Sequence, residues 1–126
     1  METVKFLNKS GKQVIIIDPV PEFNFEVPIE LSKNYKITGK SVCENLKISD
    51  YYERNHEFFD ALKSINEDNY TRVELLEKFC NTGECLAYNA DGLPLYNDGN
   101  HLTALGQSYV ADDIKFSIVD LLKQKK

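Results

Sequence analysis

Apolar residues follow two periodicities along the chain, that of buried strands and that of helices. Residues 13 to 18 form a β-branched run with a wholly apolar stretch from Val14 to Ile17, as is typical of a strand at the buried centre of a parallel sheet. A second strand is predicted over residues 70 to 76, although Glu and Leu there also suit a helix. Residues 19 to 42 contain three prolines and are predicted to form a long surface loop lining a binding crevice.

Helical spacing recurs in two places. Residues 50 to 66 are predicted to form a helix with Asp50 as its N-cap and Glu53 as the capping-box partner. Thr103 is predicted to cap a final helix, whose apolar face comprises Val110, Ile114, Ile118, Leu121 and Leu122. The end of an earlier helix is predicted at residues 2 to 9, and residues 77 to 100 are rich in turn-forming residues.

This order of elements predicts an α/β fold of the flavodoxin-like type, with three α/β/α layers. Only half of such a doubly wound domain is expected in the chain. Two parallel strands alone leave both edges and much of one face of the sheet uncovered.

Composition and charge narrow the class of protein. The 126 residues allow one domain, and 42% hydrophobic with 28% charged residues is the balance of a globular protein. The net charge of −5 and the lack of a basic stripe argue against nucleic acid as a partner. The apolar runs are far shorter than the roughly 20 residues of a membrane-spanning helix. The start, METVKFLNKSGK, lacks the features of a secretory signal, so a chain made as it stands is expected to stay in the cytoplasm.

The three cysteines raise a question of compartment. Cys80 and Cys85 flank the polar turn NTGE, which favours a disulfide worth about 2 kcal/mol, with two reduced thiols or half of a metal site as the alternatives. Cys43 is interpreted as a core or surface thiol. No motif supplies further ligands, and no metal or cofactor is expected. A disulfide indicates an oxidising compartment, which conflicts with the missing signal and suggests a piece of a longer protein.

The stretch LYNDGNHLTALGQ, residues 95 to 107, holds the candidate chemistry. A histidine acts well as the base for a hydroxyl nucleophile when a buried acid holds its ring and stabilises the imidazolium. Asp98, three residues before His101 in a turn, is predicted to reach Nδ1 and leave Nε2 facing the crevice. The alternative is a polar turn that starts at Asp98 and leads into a helix.

Several linked segments resemble the C-terminal part of the SGNH hydrolase-like domain appended to membrane acyltransferases of the acyltransferase-3 family. They are a C-x4-C turn, DGLPLYNDGNHLTALGQ and, upstream, VIIIDPVPEF. The resemblance covers nearly the whole chain. It implies an esterase-like or O-acyltransferase domain in which Asp98 and His101 are the acid and base of a Ser-His-Asp triad, while Thr103 and Gly106 match the start and close packing of the last helix.

The resemblance also implies a location and partners. Such domains lie on the extracytoplasmic, or periplasmic, side of the membrane and move acyl groups, often acetyl, from an acyl donor onto cell-surface glycans. Contact with the membrane is expected only through an acyltransferase part of the parent protein. The serine nucleophile of the family stands in a G-D-S segment, with oxyanion donors in two further blocks, and this sequence contains neither G-D-S nor G-x-N-D. The nucleophile-bearing half is therefore expected outside this chain, which alone should be a poor enzyme.

Other candidate residues are weaker. Glu22 could line the crevice, and Tyr96 could shape the pocket or anchor the core. His56 is expected to be solvated or at the core edge, and Asp112 and Asp113 to be solvated. Two alternative functions remain: a non-catalytic remnant that binds glycan or forms a homodimer through the uncovered sheet edge, and a small cytosolic regulator.

Overall fold

The structure is a computed structural model that describes residues 2–66, 68 and 70–124. Its helices are α1 (Glu2–Lys9), α2 (Val27–Thr38), α3 (Ile48–Arg54), α4 (His56–Lys63), α5 (Leu76–Phe79), α6 (Ala104–Ser108) and α7 (Ala111–Gln124). Its strands are β1 (Ile15–Ile17), β2 (Leu46–Lys47), β3 (Thr71–Val73), β4 (Cys80–Asn81) and β5 (Glu84–Cys85). The mixture of helices and strands confirms the predicted α/β class, and α1 confirms the early helix.

β1 and β3 form the predicted parallel pair, with Ile16 opposite Arg72. The amide of Asp18 donates to the carbonyl of Val73, and that of Thr71 donates to the carbonyl of Val14. Both strands are shorter than predicted. The prediction that the first strand is buried on both sides is wrong for Ile17, which is 43% exposed because β3 is its only strand neighbour in the described part of the chain.

The prediction of a loop throughout residues 19 to 42 is wrong, because α2 occupies the second half of this segment. Pro28 lies in the first turn of α2, where a proline costs no hydrogen bond. Val27 and Leu31, one helical turn apart, face the core, and Gly39 ends the helix with φ 73°. The prolines of this segment therefore concealed a 12-residue helix, of which Val27 and Leu31 are the buried residues.

The helix predicted over residues 50 to 66 is divided into α3 and α4. Asn55 separates them with φ −102° and ψ 17°, and its side-chain amide donates to the carbonyl of Tyr51. Asp50 is not the N-cap, since α3 begins two residues earlier and Lys47 precedes it. α4 ends at Lys63, before the predicted boundary.

Residues 77 to 100 are more regular than their turn-forming composition predicts. They contain the end of α5 and the hairpin of β4 and β5, and β2 joins that hairpin in an antiparallel sheet with the order β2-β5-β4. Cys80 and Cys85 are directly paired across the hairpin and form the predicted disulfide.

The predicted C-terminal helix starts where expected but is interrupted. The Thr103 side chain accepts a hydrogen bond from the amide of Gly106, which confirms its role as N-cap. A Cβ atom on Gly106 would collide with the carbonyl of Leu95, so only glycine lets α6 pack this closely. The chain turns at Tyr109 and Val110 before α7 begins.

Two hydrophobic clusters hold these elements together. The main core joins α2, β3, the disulfide hairpin and the segment before α6, with Val27, Phe79, Leu95 and Tyr96 almost wholly buried. A smaller cluster packs Val4 of α1 against residues of α4 and its C-terminal end. None of the residues of α7 is fully buried, so its predicted apolar face is only partly covered.

Candidate active site

Asp98 and His101, which we call the dyad, lie in contact on the turn that precedes α6. We call this turn, residues 97–101, the dyad turn. Asp98 Oδ2 is 2.7 Å from His101 Nδ1. Because an ionised carboxylate only accepts hydrogen bonds, this contact assigns the ring proton to Nδ1 and leaves Nε2 with its lone pair. This is the ring tautomer that a general base needs.

The other carboxylate oxygen of Asp98 fixes the turn. Oδ1 accepts hydrogen bonds from the amides of Asn100 and His101, both at 2.8 Å. These two backbone bonds, followed by the side-chain bond to His101, lower the pKa of Asp98 from 3.8 to about 2. Asp98 is therefore an anion over the whole range in which an imidazole titrates.

The turn is bonded to the segment that follows β1. The amide of Phe23 donates to the carbonyl of Gly99 at 2.7 Å, and the amide of Val27 donates to the carbonyl of Asp98 at 3.2 Å. A Cβ atom on Gly99 would lie 2.6 Å from the carbonyl oxygen of Phe23, which no other residue allows without a backbone shift. A hydrogen bond from the amide of Asn97 to the carbonyl of His101 closes the turn.

Tyr96 lies directly before the turn and is wholly buried, with its ring against Phe23 and Phe79. It therefore anchors the turn to the core, one of the two roles considered for it. Its hydroxyl has no hydrogen-bond partner within the described residues, and burial raises its pKa. The turn that carries Asp98 and His101 therefore rests on a cluster of packed aromatic rings.

The dyad itself is open to solvent. The side chain of His101 is 76% exposed and that of Asp98 is 41% exposed, so the expectation of a buried acid does not hold in this chain. Within the described residues, neither a serine hydroxyl nor any other polar group bonds to His101 Nε2. Ser108, the serine nearest in sequence on the C-terminal side, instead donates to the carbonyl of Leu105.

A cleft of about 410 Å³ lies beside the turn, lined in part by Asp98, Gly99 and Asn100. Glu22, which the sequence placed near a crevice, lines it as well. Sequence reasoning did not identify Asn24 and Arg54, which lie on the same wall. Arg54 donates to Glu22 Oε2 at 3.0 Å and to Asn24 Oδ1 at 2.7 Å. These residues lie about 30 positions apart and form no local motif that a sequence pattern could reveal.

The remaining candidates lie elsewhere. His56 is exposed at the start of α4, where Nδ1 contacts the carbonyl of Glu53 at 2.8 Å. Asp112 is exposed, whereas Asp113, expected to be solvated, forms an ion pair with Lys78 at 2.9 Å. Cys43 is a half-buried free thiol with its pKa raised to about 11 by burial. In the described ranges, no group of three His, Cys, Asp or Glu side chains is placed to hold a metal ion, and no helix is long and apolar enough to cross a membrane.

Comparison with known proteins identifies the family. A family model described as the SGNH domain fused to AT3 domains matches residues 1–116, so the chain belongs to this family. The fold is similar to that of the lipopolysaccharide acetyltransferase periplasmic domain of Salmonella ser. Paratyphi A, with a TM-score of 0.64 and 20% sequence identity. The alignment covers 94% of this chain and 47% of that one, so the chain spans about half the length of the solved domain. No curated protein matches the sequence significantly.

Proposed function

We propose that the chain is the C-terminal portion of an SGNH-type acyltransferase or esterase domain that moves acyl groups, foremost acetyl, to or from cell-surface glycans. Asp98 and His101 are its acid and base, and the serine comes from outside these residues. The observation that carries this proposal is the 2.7 Å contact between Asp98 and His101 Nδ1, which leaves Nε2 open. Membership of a family fused to AT3 domains and the likeness to an acetyltransferase domain support it.

The dyad performs acyl transfer in two balanced steps. His101 Nε2 takes the proton of the serine hydroxyl as Oγ attacks the acyl carbonyl, and Nε2 returns that proton to the leaving group as the acyl-serine forms. The acceptor hydroxyl then gives its proton to Nε2 and attacks the acyl-serine, and serine recovers the proton when its ester bond breaks. Asp98 holds the ring and stabilises the imidazolium in both steps.

An uncovered apolar surface supports docking of the nucleophile-bearing part. We define the β1–α7 face as Ile15, Ile17, Ile118 and Leu122. Ile118 and Leu122 are 45% and 61% exposed, and they line a cavity of about 250 Å³ together with Ile15. In the parallel register the backbone groups of Ile15 and Ile17 point away from β3, so they are available to a further strand. The missing part of the domain would pair here and cover the face.

The disulfide supports a location on the extracytoplasmic side of the membrane, because such bonds persist in oxidising compartments. The neighbouring solved structure is itself a periplasmic domain. We place this chain there as part of a longer protein whose acyltransferase part provides the contact with the membrane.

The test is acyl transfer in the parent protein, measured as acetylated glycan by mass spectrometry. His101→Ala should lower the rate about 10³-fold or more, since a triad without its base loses most of its rate enhancement. His56→Ala is the matched control, because the other histidine is exposed on α4 and should leave the rate unchanged. Normal turnover by the His101 variant would rule out His101 as the base.

The β1–α7 face also favours a second candidate, a non-catalytic module that associates with a copy of itself through the same sheet edge. This candidate predicts a concentration-dependent dimer of the 126-residue chain and no hydrolysis of acyl esters. Sedimentation of a monomer at high concentration would count against it, and Ile118→Glu should dissociate the dimer if it forms.

A further inference from the structure

The walls of the cleft beside the dyad carry both hydrogen-bond donors and hydrogen-bond acceptors. Glu22 and Asn24 belong to the segment after β1, and Arg54 is the last residue of α3. The segment after β1 is bonded to the dyad turn through Phe23 and Gly99, so these groups keep a fixed position relative to His101. A ligand hydroxyl held by this wall would keep a constant relation to the reacting base.

Arg54 is held in place and still has donors to spare. Its hydrogen bonds to Glu22 and Asn24 occupy two of the five N–H groups of a guanidinium. Its side chain is 42% exposed and that of Glu22 is 33% exposed, and an ion pair this exposed adds little to stability. The wall is thus better suited to present polar groups than to stabilise the fold.

The same three residues also line a second cavity, of about 340 Å³, on the side of Asp50 and Glu53. The two cavities meet at Glu22, Asn24 and Arg54, which we name the polar wall. Each cavity has the size of a site for a small ligand. A ligand that extends from the dyad into either cavity would therefore contact the polar wall.

We propose that the polar wall is the acceptor subsite and binds the hydroxyl groups of an uncharged sugar residue. This inference rests on the proposed function and specifies its substrate class. A sugar hydroxyl both donates and accepts, and the wall offers carboxylate oxygens to the donor and guanidinium and amide N–H groups to the acceptor lone pairs. Arg54 and Glu22 are positioning residues, since they hold the acceptor and take no proton from it.

Charge sets the preference for an uncharged sugar. The cavity beside the dyad is lined by three carboxylates, those of Glu22, Glu26 and Asp98, and by one guanidinium, that of Arg54. Asp50 and Glu53 add two further carboxylates to the adjoining cavity. Carboxylates outnumber the single guanidinium in both cavities, so an acidic sugar would meet net repulsion from the lining as a whole, whereas a neutral sugar would not.

The test titrates the ¹⁵N-labelled chain with two matched probes, methyl α-D-glucopyranoside and its C6 carboxylate analogue, the methyl glucuronide. The neutral probe should shift the amides of residues 22–26, 54 and 98–100. The acidic probe should bind about fivefold more weakly at low salt, and the difference should shrink as salt screens the repulsion.

Variants separate recognition from a structural role. Arg54→Gln should abolish the shifts caused by the neutral probe, and Lys63→Gln, which removes an exposed cation paired with Asp60 away from the cleft, should leave them intact. Glu22→Gln should raise the affinity for the acidic probe relative to the neutral one, a change of selectivity that a merely structural residue would not cause. His101→Ala removes the proposed base but leaves Glu22, Asn24 and Arg54 in place, so the neutral probe should still shift the amides of residues 22–26 and 54 while acyl transfer in the parent protein is lost, and loss of catalysis and loss of the subsite are distinguishable.

Three results would overturn the proposal. They are equal affinity for both probes at low salt, the absence of localised shifts with either probe, and shifts confined to the other large cavity. That cavity, of about 480 Å³, lies between α2 and residues 91–94 and is lined by Tyr35 and Leu93. Shifts there would place the acceptor on α2.

Discussion

The dyad turn and the β1–α7 face are held in opposite ways. Next to the turn, Leu95 and Tyr96 are 1% and 0% exposed, and two backbone hydrogen bonds tie the turn to the segment after β1. On the β1–α7 face, Ile118 and Leu122 keep about half of their surface in contact with solvent. The side chains next to the dyad are therefore fully buried, whereas those of the β1–α7 face are partly exposed.

This difference distinguishes a site that the chain positions by itself from an apolar surface that remains exposed. The Asp98–His101 pair requires only groups within this chain to take its position. On the β1–α7 face Ile17, Ile118 and Leu122 stay largely exposed, and Nε2 of His101 has no hydrogen-bond partner among the described residues. The position of the Asp98–His101 pair and the proposed docking of a nucleophile-bearing part thus depend on different surfaces, which mutations can separate.

The largest expected effect comes from truncating a buried leucine near the turn. Leu95→Ala removes a wholly buried side chain and should lower the free energy of unfolding by about 2–5 kcal/mol. Leu122→Ala is the matched change on the β1–α7 face and should cost less than about 0.5 kcal/mol, because much of Leu122 is already exposed.

Urea unfolding of both variants measures this contrast. A similar loss in the two variants would show that the face is covered in solution, and sedimentation of the same samples would reveal whether a second copy covers it. In the parent protein the Leu122 variant should become more costly, since the proposed docking part would bury it.

A smaller effect is expected from adding one carbon atom at the turn. Gly99→Ala places a Cβ atom against the backbone carbonyl of Phe23, so either the turn or the segment after β1 must move. We expect a loss of about 1–3 kcal/mol, the usual cost of overpacking. The Phe23–Gly99 hydrogen bond should weaken, as measured by faster exchange of the Phe23 amide proton.

Asn100→Ala is the control for this change, since it keeps the backbone amide that bonds to Asp98 and introduces no clash. Its stability should stay within about 0.5 kcal/mol of the unmodified chain. Unchanged exchange at Phe23 in the Gly99 variant would mean that the turn is less tightly held than its contacts indicate.

The features that sequence predicted well are those encoded by neighbouring residues. Asp98 and His101 are three positions apart, Cys80 and Cys85 flank one short turn, and Thr103 caps the helix that follows it. Each of these contacts forms within a few residues of chain, so spacing and residue type are sufficient to predict it.

The features that sequence missed depend on the rest of the fold. Arg54 meets Glu22 and Asn24 only because α3 packs beside the segment after β1. α2 was missed because its segment contains three prolines, although Pro19 and Pro21 precede the helix and Pro28 lies in its first turn, where it is tolerated. The exposure of Ile17 escaped prediction for a related reason. A β-branched run indicates a strand, but its burial is decided by strands that pair with it from elsewhere.

The smallest expected effect is a change in the pKa of Asp98 when the His101 ring is removed. The pKa of Asp98 is lowered to about 2, first by the backbone amides of Asn100 and His101 and then by the His101 ring. In His101→Ala the backbone amides remain, so we expect the pKa to rise but to stay below 3.8. Because the folded pKa is the lower one, the stabilisation from this carboxylate is present above about pH 4 and is lost as the pH falls through about 2.

Carbon-detected NMR titration of the aspartate side chains measures this pKa in both proteins. Asp60 is an internal control, since Lys63 is the main cause of its lowered pKa and the substitution should not affect it. A return of Asp98 to 3.8 in the variant would mean that the ring, rather than the backbone, holds the carboxylate. If the pKa stays low, the acid is positioned before the base, and the turn is ready for His101 without help from any other part of the protein.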